Sequence, residues 1–226
     1  MIREKLSGLY AITDATQTDT QQLLADVEQA LLGGARIIQY RDKSREKSRE
    51  KSLDKSQNPQ RRLETANALR ELTHAHAALL IINDDPQLAK AVQADGVHLG
   101  QDDADIEAAR ELLGENAIIG VSCYNRFELA QQASAQGADY IAFGRFFASR
   151  TKPQAALAGI ELLRQAQQEL AISIVAIGGI TADNGGELIN AGADMLAVID
   201  DIFGQTDIKA AAQRYRSIFA RTQPKP

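Results

Sequence analysis

Residues 79–103, LLIINDDPQLAKAVQADGVHLGQDD, contain one full unit of the repeat on which this chain is built. Leu79-Leu80-Ile81-Ile82 has the length and purity of a strand buried on both faces, as parallel strands are. Residues 86–92 have helical period, Ala94-Asp95-Gly96 offers a turn, and Gly96-Val97-His98-Leu99-Gly100 forms a second strand. Each strand ends on acid: Asn83-Asp84 after the first, Gln101-Asp102-Asp103 after the second. Neighbouring parallel strands lie ~4.8 Å apart, so these carboxylates converge at one sheet edge. Hard oxygen donors there suit Mg²⁺, which takes one or two carboxylates and fills its shell with water and substrate phosphate. The alternative is that Asp84 and Asp103 cap the helices that follow. Spacing alone leaves both readings open and favours the cap.

The same alternation runs through the whole chain. Apolar runs at 9–13, 36–41, 79–84, 96–100, 118–123, 140–145, 172–179 and 195–200 alternate with helical periods. Those periods fall at 23–32, 62–74, 86–92, 106–113, 128–135, 157–170 and 184–190, with 208–219 after the last run. Alternating strand and helix implies parallel strands. Eight units in 226 residues predict one α/β domain over 1–226, a (β/α)8 TIM barrel, with a doubly wound open sheet as runner-up. Four helices hand over to a strand through Gly33-Gly34-Ala35, Ala94-Asp95-Gly96, Gly137-Ala138-Asp139 and Gly192-Ala193-Asp194, each a glycine C-cap or a near variant of one.

Bulk properties narrow the function. At 44% hydrophobic residues the chain can bury a large core. A net charge of −5 argues against a nucleic-acid or anionic-membrane partner, so any phosphate site needs local positive charge. No run approaches the ~18 apolar residues of a membrane span. The first residues lack a signal-peptide core, and the single cysteine allows no intrachain disulfide. A cytoplasmic protein is expected; assembly into a homo-oligomer is left open. One stretch breaks the pattern: Ser44 to Gln57 reads SREKSREKSLDKSQ and stacks like charges at i,i+4. Such pairs destabilise a helix by a few tenths of a kcal/mol each, which predicts a charged, flexible insertion at about 44–58. It follows the second strand on the face where barrel active sites lie, so a lid is an alternative to a solvated loop.

In a barrel, chemistry sits at the carboxyl ends of the strands. Gln39, Arg41 and Lys43 alternate there and project to one side, which suits a ring carrying a phosphate chain; a solvated rim with a salt bridge through Asp42 is the bland alternative. Gly178-Gly179-Ile180-Thr181 is a glycine turn running into a helix start, where backbone N–H groups bind phosphate. Thr151-Lys152, reached through Gly144 to Ser149, adds a hydroxyl and an ammonium. His74, His76 and His98 have no ligand spacing, and His98 reads as a hydrogen-bonded interior residue. Cys123 reads as strand packing.

Taken in order, these motifs resemble those of the thiamine-phosphate synthase family. The matching segments include Leu9 to Asp14, Gln39-Tyr40-Arg41-Asp42-Lys43, Ile82-Asn83-Asp84, Ala94 to Asp103, Gly120-Val121-Ser122, Gly137-Ala138-Asp139-Tyr140, Thr151-Lys152-Pro153, Ala176 to Thr181, and Ala191-Gly192-Ala193-Asp194. The resemblance implies a transferase that joins a thiazole phosphate, carboxylated or not, to an aminopyrimidine carrying a diphosphooxymethyl group, with Mg²⁺ as cofactor and diphosphate as leaving group. It assigns Asp84 and Asp103 to the metal. Gln39, Tyr40, Arg41, Asp42, Lys43, Asn83, Ser122 and Lys152 go to the pyrimidine diphosphate. Arg41, Lys43, Lys152 and Ser122 are the expected catalytic set. Ser149, Arg150, Thr151, Gly179, Ile199 and Asp200 go to the thiazole phosphate.

Three positions depart from the family pattern. Ser149 stands where threonine is usual and keeps the hydroxyl. The strand-six loop runs Gly144-Arg145-Phe146-Phe147 where proline is common, and Arg145 adds charge. Asp200 stands where a small polar residue is usual, and a carboxylate there repels phosphate unless it points away. Two rivals remain: a thiazole tautomerase-like paralogue, which would lose the pyrimidine-diphosphate residues, and a non-catalytic phosphate-binding barrel.

Overall fold

The structure is a computed structural model and describes residues 6–13, 19–42, 59–101, 105–148 and 157–221. The charged stretch at 44–58 lies outside the described residues. The strands are β1 (Gly8–Ile12), β2 (Ile37–Tyr40), β3 (Leu79–Asn83), β4 (Gly96–Leu99), β5 (Ile118–Tyr124), β6 (Tyr140–Gly144), β7 (Ser173–Ile177) and β8 (Met195–Val198). They pair in sequence order, all parallel, and close β8 onto β1. The helices are α1 (Thr20–Gly33), α2 (Pro59–Ala75), α3 (Pro86–Ala91), α4 (Ile106–Leu113), α5 (Phe127–Ala135), α6 (Glu161–Glu169), α7 (Gly185–Asn190), α8 (Asp200–Phe203) and α9 (Ile208–Arg221). This is the (β/α)8 barrel expected from the alternation. Among the described residues, no helix is long and apolar enough to cross a membrane.

Alternation along the strands divides two cores. Tyr10, Ile37, Ile81, Ile118, Tyr140, Val175 and Met195 point inward and fill the barrel. Leu9, Ile38, Leu80, Val97, Ile119, Ile141, Ile174 and Leu196 point outward under the helices. Both faces of a strand are therefore dry, which is why the runs read as continuously apolar.

The helix-to-strand junctions carry a device that goes beyond their glycines. Asp95, Asp139 and Asp194 each precede an even-numbered strand, and each turns its carboxylate onto the strand before. Asp95 accepts from the Leu80 N–H at 2.8 Å, Asp139 from Ile119 at 2.8 Å, and Asp194 from Ile174 at 2.9 Å. Their own N–H groups return the bond to the carbonyls of the same three residues. Each junction thus closes a two-bond ring that sets the register at the amino end of the barrel. Two residues before each of these aspartates the backbone is left-handed: Gln93 at φ 53, Gly137 at φ 86 and Gly192 at φ 123.

Several boundaries differ from the sequence reading, and two of them have a plain cause. The run at 195–200 stops being strand at Val198, because Ile202 and Phe203 return their N–H groups to the Ile199 carbonyl and wind α8. The helical period at 157–170 starts as helix only at Glu161, because the Ala158 N–H is drawn to the Arg145 carbonyl at 2.7 Å.

Asp139 also pairs with Arg110, Nη2 to Oδ2 at 2.7 Å. Asp139→Ala removes the acceptor of the Ile119 N–H and the carboxylate on a guanidinium that otherwise donates to backbone carbonyls, and is expected to cost about 2–3 kcal/mol in urea unfolding. Asp207→Ala, which removes only an exposed cap on the Ala210 N–H, is expected to cost about 1 kcal/mol. Equal losses would show that the junction ring does not hold the register.

Candidate active site

A cavity of about 930 Å³ opens at the carboxyl end of the barrel. Its floor is built by inward-facing strand residues. Gln39 on β2, Tyr10 on β1, Tyr140 on β6, His98 on β4 and Ser122 on β5 all line it and are hydrogen-bonded to one another. The rim is built by the residues just past the strand ends.

On the β2–β3 side, Arg41, Asn83 and Asp84 reach the cavity. Thr13 prolongs the β1–β2 pairing past the strands: its N–H donates to the Gln39 carbonyl and its Oγ1 accepts from the Arg41 N–H, both at 3.0 Å. That fixes the backbone from which Arg41 extends. Tyr40 and Asp42, expected beside Gln39 and Arg41 on the ligand, face the other way. Tyr40 is buried under the helices, and Asp42 meets the Tyr40 hydroxyl at 3.4 Å and Arg62 at 3.8 Å. The reason is the two-residue period of a strand, which turns alternate side chains out of the barrel. The bland rim salt bridge through Asp42 exists, and Arg41 still lines the cavity beside it.

The helices that follow β3 and β4 are capped by other aspartates. The cap of α3 is Asp85, whose Oδ1 accepts from the Leu88 N–H at 3.0 Å. The cap of α4 is Asp105, which accepts from Glu107. Asp84 caps neither. It sits at the cavity rim with φ 58, its N–H donating to the His98 carbonyl at 2.8 Å and its Oδ2 accepting from Asn83 Nδ2 at 2.5 Å. A left-handed aspartate costs roughly 1–2 kcal/mol, and such strain gathers at functional sites.

On the β6–β8 side, Arg145, Gly178, Gly179, Ile199, Asp200 and Asp201 complete the wall. Gly178 and Gly179 have φ 101 and 66, and a Cβ on them would fall 2.3 Å from Arg145 Cβ and 2.4 Å from the Ala148 carbonyl oxygen. Only glycine fits this pair. The loop's own polar groups are largely engaged: Asn184 accepts from the Thr181 N–H and donates to the Gly179 carbonyl, and Asp201 accepts from Ala182 N–H. The Gly179 and Ile180 N–H groups have no partner among the described residues, and both residues line the cavity. Two adjacent amides of this kind, with Arg145 on the same wall, have the chemistry to receive an anion. Asp201 is held by the Tyr215 hydroxyl at 2.7 Å and serves the loop, whereas Asp200 is exposed at the rim.

Of the residues expected at the site, Gln39, Arg41, Asn83, Asp84, Ser122, Gly179, Ile199 and Asp200 meet at this cavity. Lys43, Asp103, Ser149, Arg150, Thr151 and Lys152 lie outside the described residues. Sequence reasoning missed Tyr10, Tyr140 and Asp201; the two tyrosines carried a signal, being hydroxyl-bearing residues at inward positions of strands otherwise apolar. His98 is the hydrogen-bonded interior residue it was read as, with both ring nitrogens engaged. Cys123 is buried, and burial pushes its thiol up to about 12, as suits packing.

A closed barrel of parallel strands with a polar cavity at the carboxyl ends of those strands is of the (β/α)8 class, in which chemistry sits at that end. The sequence model of one family, thiamine monophosphate synthase, matches residues 9–202. The thiamine-phosphate synthase of Alcanivorax borkumensis is 48% identical over 225 residues, covering 98% of each chain. That of Saccharophagus degradans is 51% identical over 206 residues, covering 91% of this chain and 89% of the other. Among solved structures, thiamine phosphate pyrophosphorylase from Pyrococcus furiosus superposes with a TM-score of 0.81 at 37% identity, covering 97% of this chain and 98% of that one. The chain belongs to the thiamine monophosphate synthase family and is a transferase.

Burial holds the phenols of Tyr10, Tyr40, Tyr140 and Tyr215 well above their ordinary pKa. Above the unfolded value near 10 the unfolded chain has lost protons that the fold keeps, so stability falls as pH rises. The melting temperature is expected to change little between about pH 7 and 9 and to drop steeply beyond pH 10, less steeply in Tyr215→Phe. A flat profile to about pH 11 would contradict this.

Proposed function

We propose that this enzyme condenses 4-amino-2-methyl-5-(diphosphooxymethyl)pyrimidine with 4-methyl-5-(2-phosphooxyethyl)thiazole to give thiamine phosphate and diphosphate, or with its carboxylated form to give the same two products and carbon dioxide. The observation that carries the reading is the division of one cavity into two unlike walls. Ring-reading groups and a cation, Gln39, Ser122 and Arg41, stand with Asn83 and Asp84 on one side, and the amide cradle of Gly179 and Ile180 stands with Arg145 on the other. That arrangement suits two anionic substrates held face to face. It argues against the tautomerase-like rival, which has no use for Gln39, Arg41 and Asp84 at the cavity.

In this reading the C–O bond to diphosphate breaks with its electron pair, and the thiazole nitrogen lone pair forms the new C–N bond at the methylene carbon. The methylene cation that develops is stabilised by the ring amino group, so no enzyme nucleophile or strong base is needed. Arg41, Lys43 and Lys152 spread the charge of the departing diphosphate, the direction in which fixed cations lower a barrier. Ser122 and Gln39 orient the pyrimidine, and the cradle, with Ser149, Arg150 and Thr151, anchors the thiazole phosphate at reacting distance. Asp84 fits a magnesium site, since it is a hard carboxylate at the rim that caps no helix; Asp103 would be its partner. Bound Mg²⁺ would supply charge neutralisation at the diphosphate. Asp200 turns away from the thiazole phosphate, leaving its backbone N–H to bind.

The test is a two-substrate assay of diphosphate and thiamine phosphate, with and without Mg²⁺. Product is expected only with the metal, and Asp84→Ala and Asp103→Ala are each expected to lower kcat by roughly a hundredfold or more while the melting temperature holds. No product at saturating substrates would sink the proposal. Asp200→Ser is expected to leave the KM for thiazole phosphate within about threefold; a tenfold fall would mean that the carboxylate faces the phosphate.

A further inference from the structure

The polar groups on the cavity floor form one continuous chain across the barrel. Gln39 Nε2 donates to the Tyr10 hydroxyl at 2.9 Å, and the Tyr10 and Tyr140 hydroxyls lie 2.8 Å apart. Tyr140 Oη lies 3.0 Å from His98 Nδ1, and His98 Nε2 lies 2.9 Å from Ser122 Oγ. Gln39, Tyr10, Tyr140 and His98 are buried, and the Tyr140 ring stacks on the imidazole with centroids 5.6 Å apart.

Each proton in such a chain is set by its neighbour. An amide NH₂ only donates, so the Tyr10 oxygen accepts from Gln39 and its own proton goes to Tyr140. Tyr140 already accepts from Tyr10 and passes its proton to His98 Nδ1. The imidazole is then neutral, carries its proton on Nε2, and donates it to Ser122. A charged imidazole would turn a second donor onto Tyr140 and strand the Tyr140 proton in a buried position, at the cost of an unmade hydrogen bond. The ends follow: Gln39 offers the cavity an acceptor, Oε1, and Ser122 offers it a donor, its hydroxyl proton. Reversing either end requires the amide to turn over and every proton between to move with it.

We propose that Tyr10, Tyr140 and His98 are positioning residues that couple Gln39 to Ser122, so that the site reads an amino group at one end of the pyrimidine and a ring nitrogen at the other as a single pattern. The claim rests on the proposed function, in which the pyrimidine lies against Gln39 and Ser122. Its consequence is discrimination against a ring of reversed pattern, the analogue with an oxo group at ring position 4. That analogue places an acceptor where Gln39 also accepts, and a polar mismatch in a buried site is rejected far more strongly than a lost methylene.

The experiment has two arms. Nitrogen-15 NMR of the imidazoles of the intact enzyme is expected to show His98 neutral with its proton on Nε2; an Nδ1–H tautomer or an imidazolium at neutral pH overturns the proposal. In the second arm, kcat/KM is compared for the 4-amino and 4-oxo pyrimidine diphosphates. Tyr140→Phe frees the two ends from one another and is expected to lower the amino-over-oxo preference by at least roughly tenfold, with the KM for thiazole phosphate unchanged. A folded Tyr140→Phe that keeps the full preference overturns the proposal. Tyr10→Phe breaks the same chain one link earlier and stands in if Tyr140→Phe fails to fold. If the wild-type enzyme makes no product from the 4-amino substrate, the proposed function falls, and the tautomer is still read independently.

Discussion

The meeting of two tyrosine hydroxyls near the barrel axis, 2.8 Å apart, divides the interior into core and site. Below them the barrel is filled by apolar side chains such as Leu6, Ile37, Ile118 and Met195. Above them lies the cavity. A buried phenol needs its hydrogen bonds, so these two oxygens dictate polar partners on β2 and β4. Gln39 and His98 are those partners, and each reaches the cavity. Room for the arrangement comes from β5, where a Cβ on Gly120 would lie 1.8 Å from the Tyr140 ring. A change made for packing on one strand therefore propagates into the polar floor of the site.

The two ends of the barrel have separate duties. At the amino end, Asp95, Asp139 and Asp194 spend their carboxylates on backbone N–H groups of the preceding strands and fix register. At the carboxyl end, Asp84 sits on a left-handed backbone, caps no helix and lines the cavity. Asp85, one residue on, does both structural jobs there, capping α3 and pairing with Arg62 at 2.6 Å. Adjacent identical residues thus split into one that holds the fold and one left to the cavity.

That split explains what the sequence could and could not reveal. The barrel was legible because strands dry on both faces read as pure apolar runs, and eight such runs leave few architectures. The ring of Asn83, Asp84, Gln39, Arg41, Ser122 and Gly179 was legible because strand ends converge in a barrel. Whether Asp84 or Asp85 caps α3 was not, because it turns on a single φ. The inward chain was hidden for another reason. His98 finds Tyr140 and Ser122 at separations of 42 and 24 residues, and only barrel closure brings them together. The Gly-Ala-Asp junctions were visible as a pattern, but the glycine drew the eye while the aspartate's partner lay one strand back.

In the proposed reaction a chain of net charge −5 has to attract two anions. Long-range steering by net charge fails here, so affinity must come from groups inside the cavity, where low dielectric strengthens each contact. The means differ on the two walls. The cradle at Gly179 and Ile180 uses backbone dipoles, which add no net charge and need no counter-ion. The opposite wall uses Arg41 beside Asp84, a cation and an anion in one rim. In the proposed reaction a rim carboxylate beside a diphosphate calls for a cation between the two, and that is the place the proposed magnesium would take. The left-handed, non-capping backbone at Asp84 fits the proposed reading, in which a divalent ion stands on the pyrimidine side.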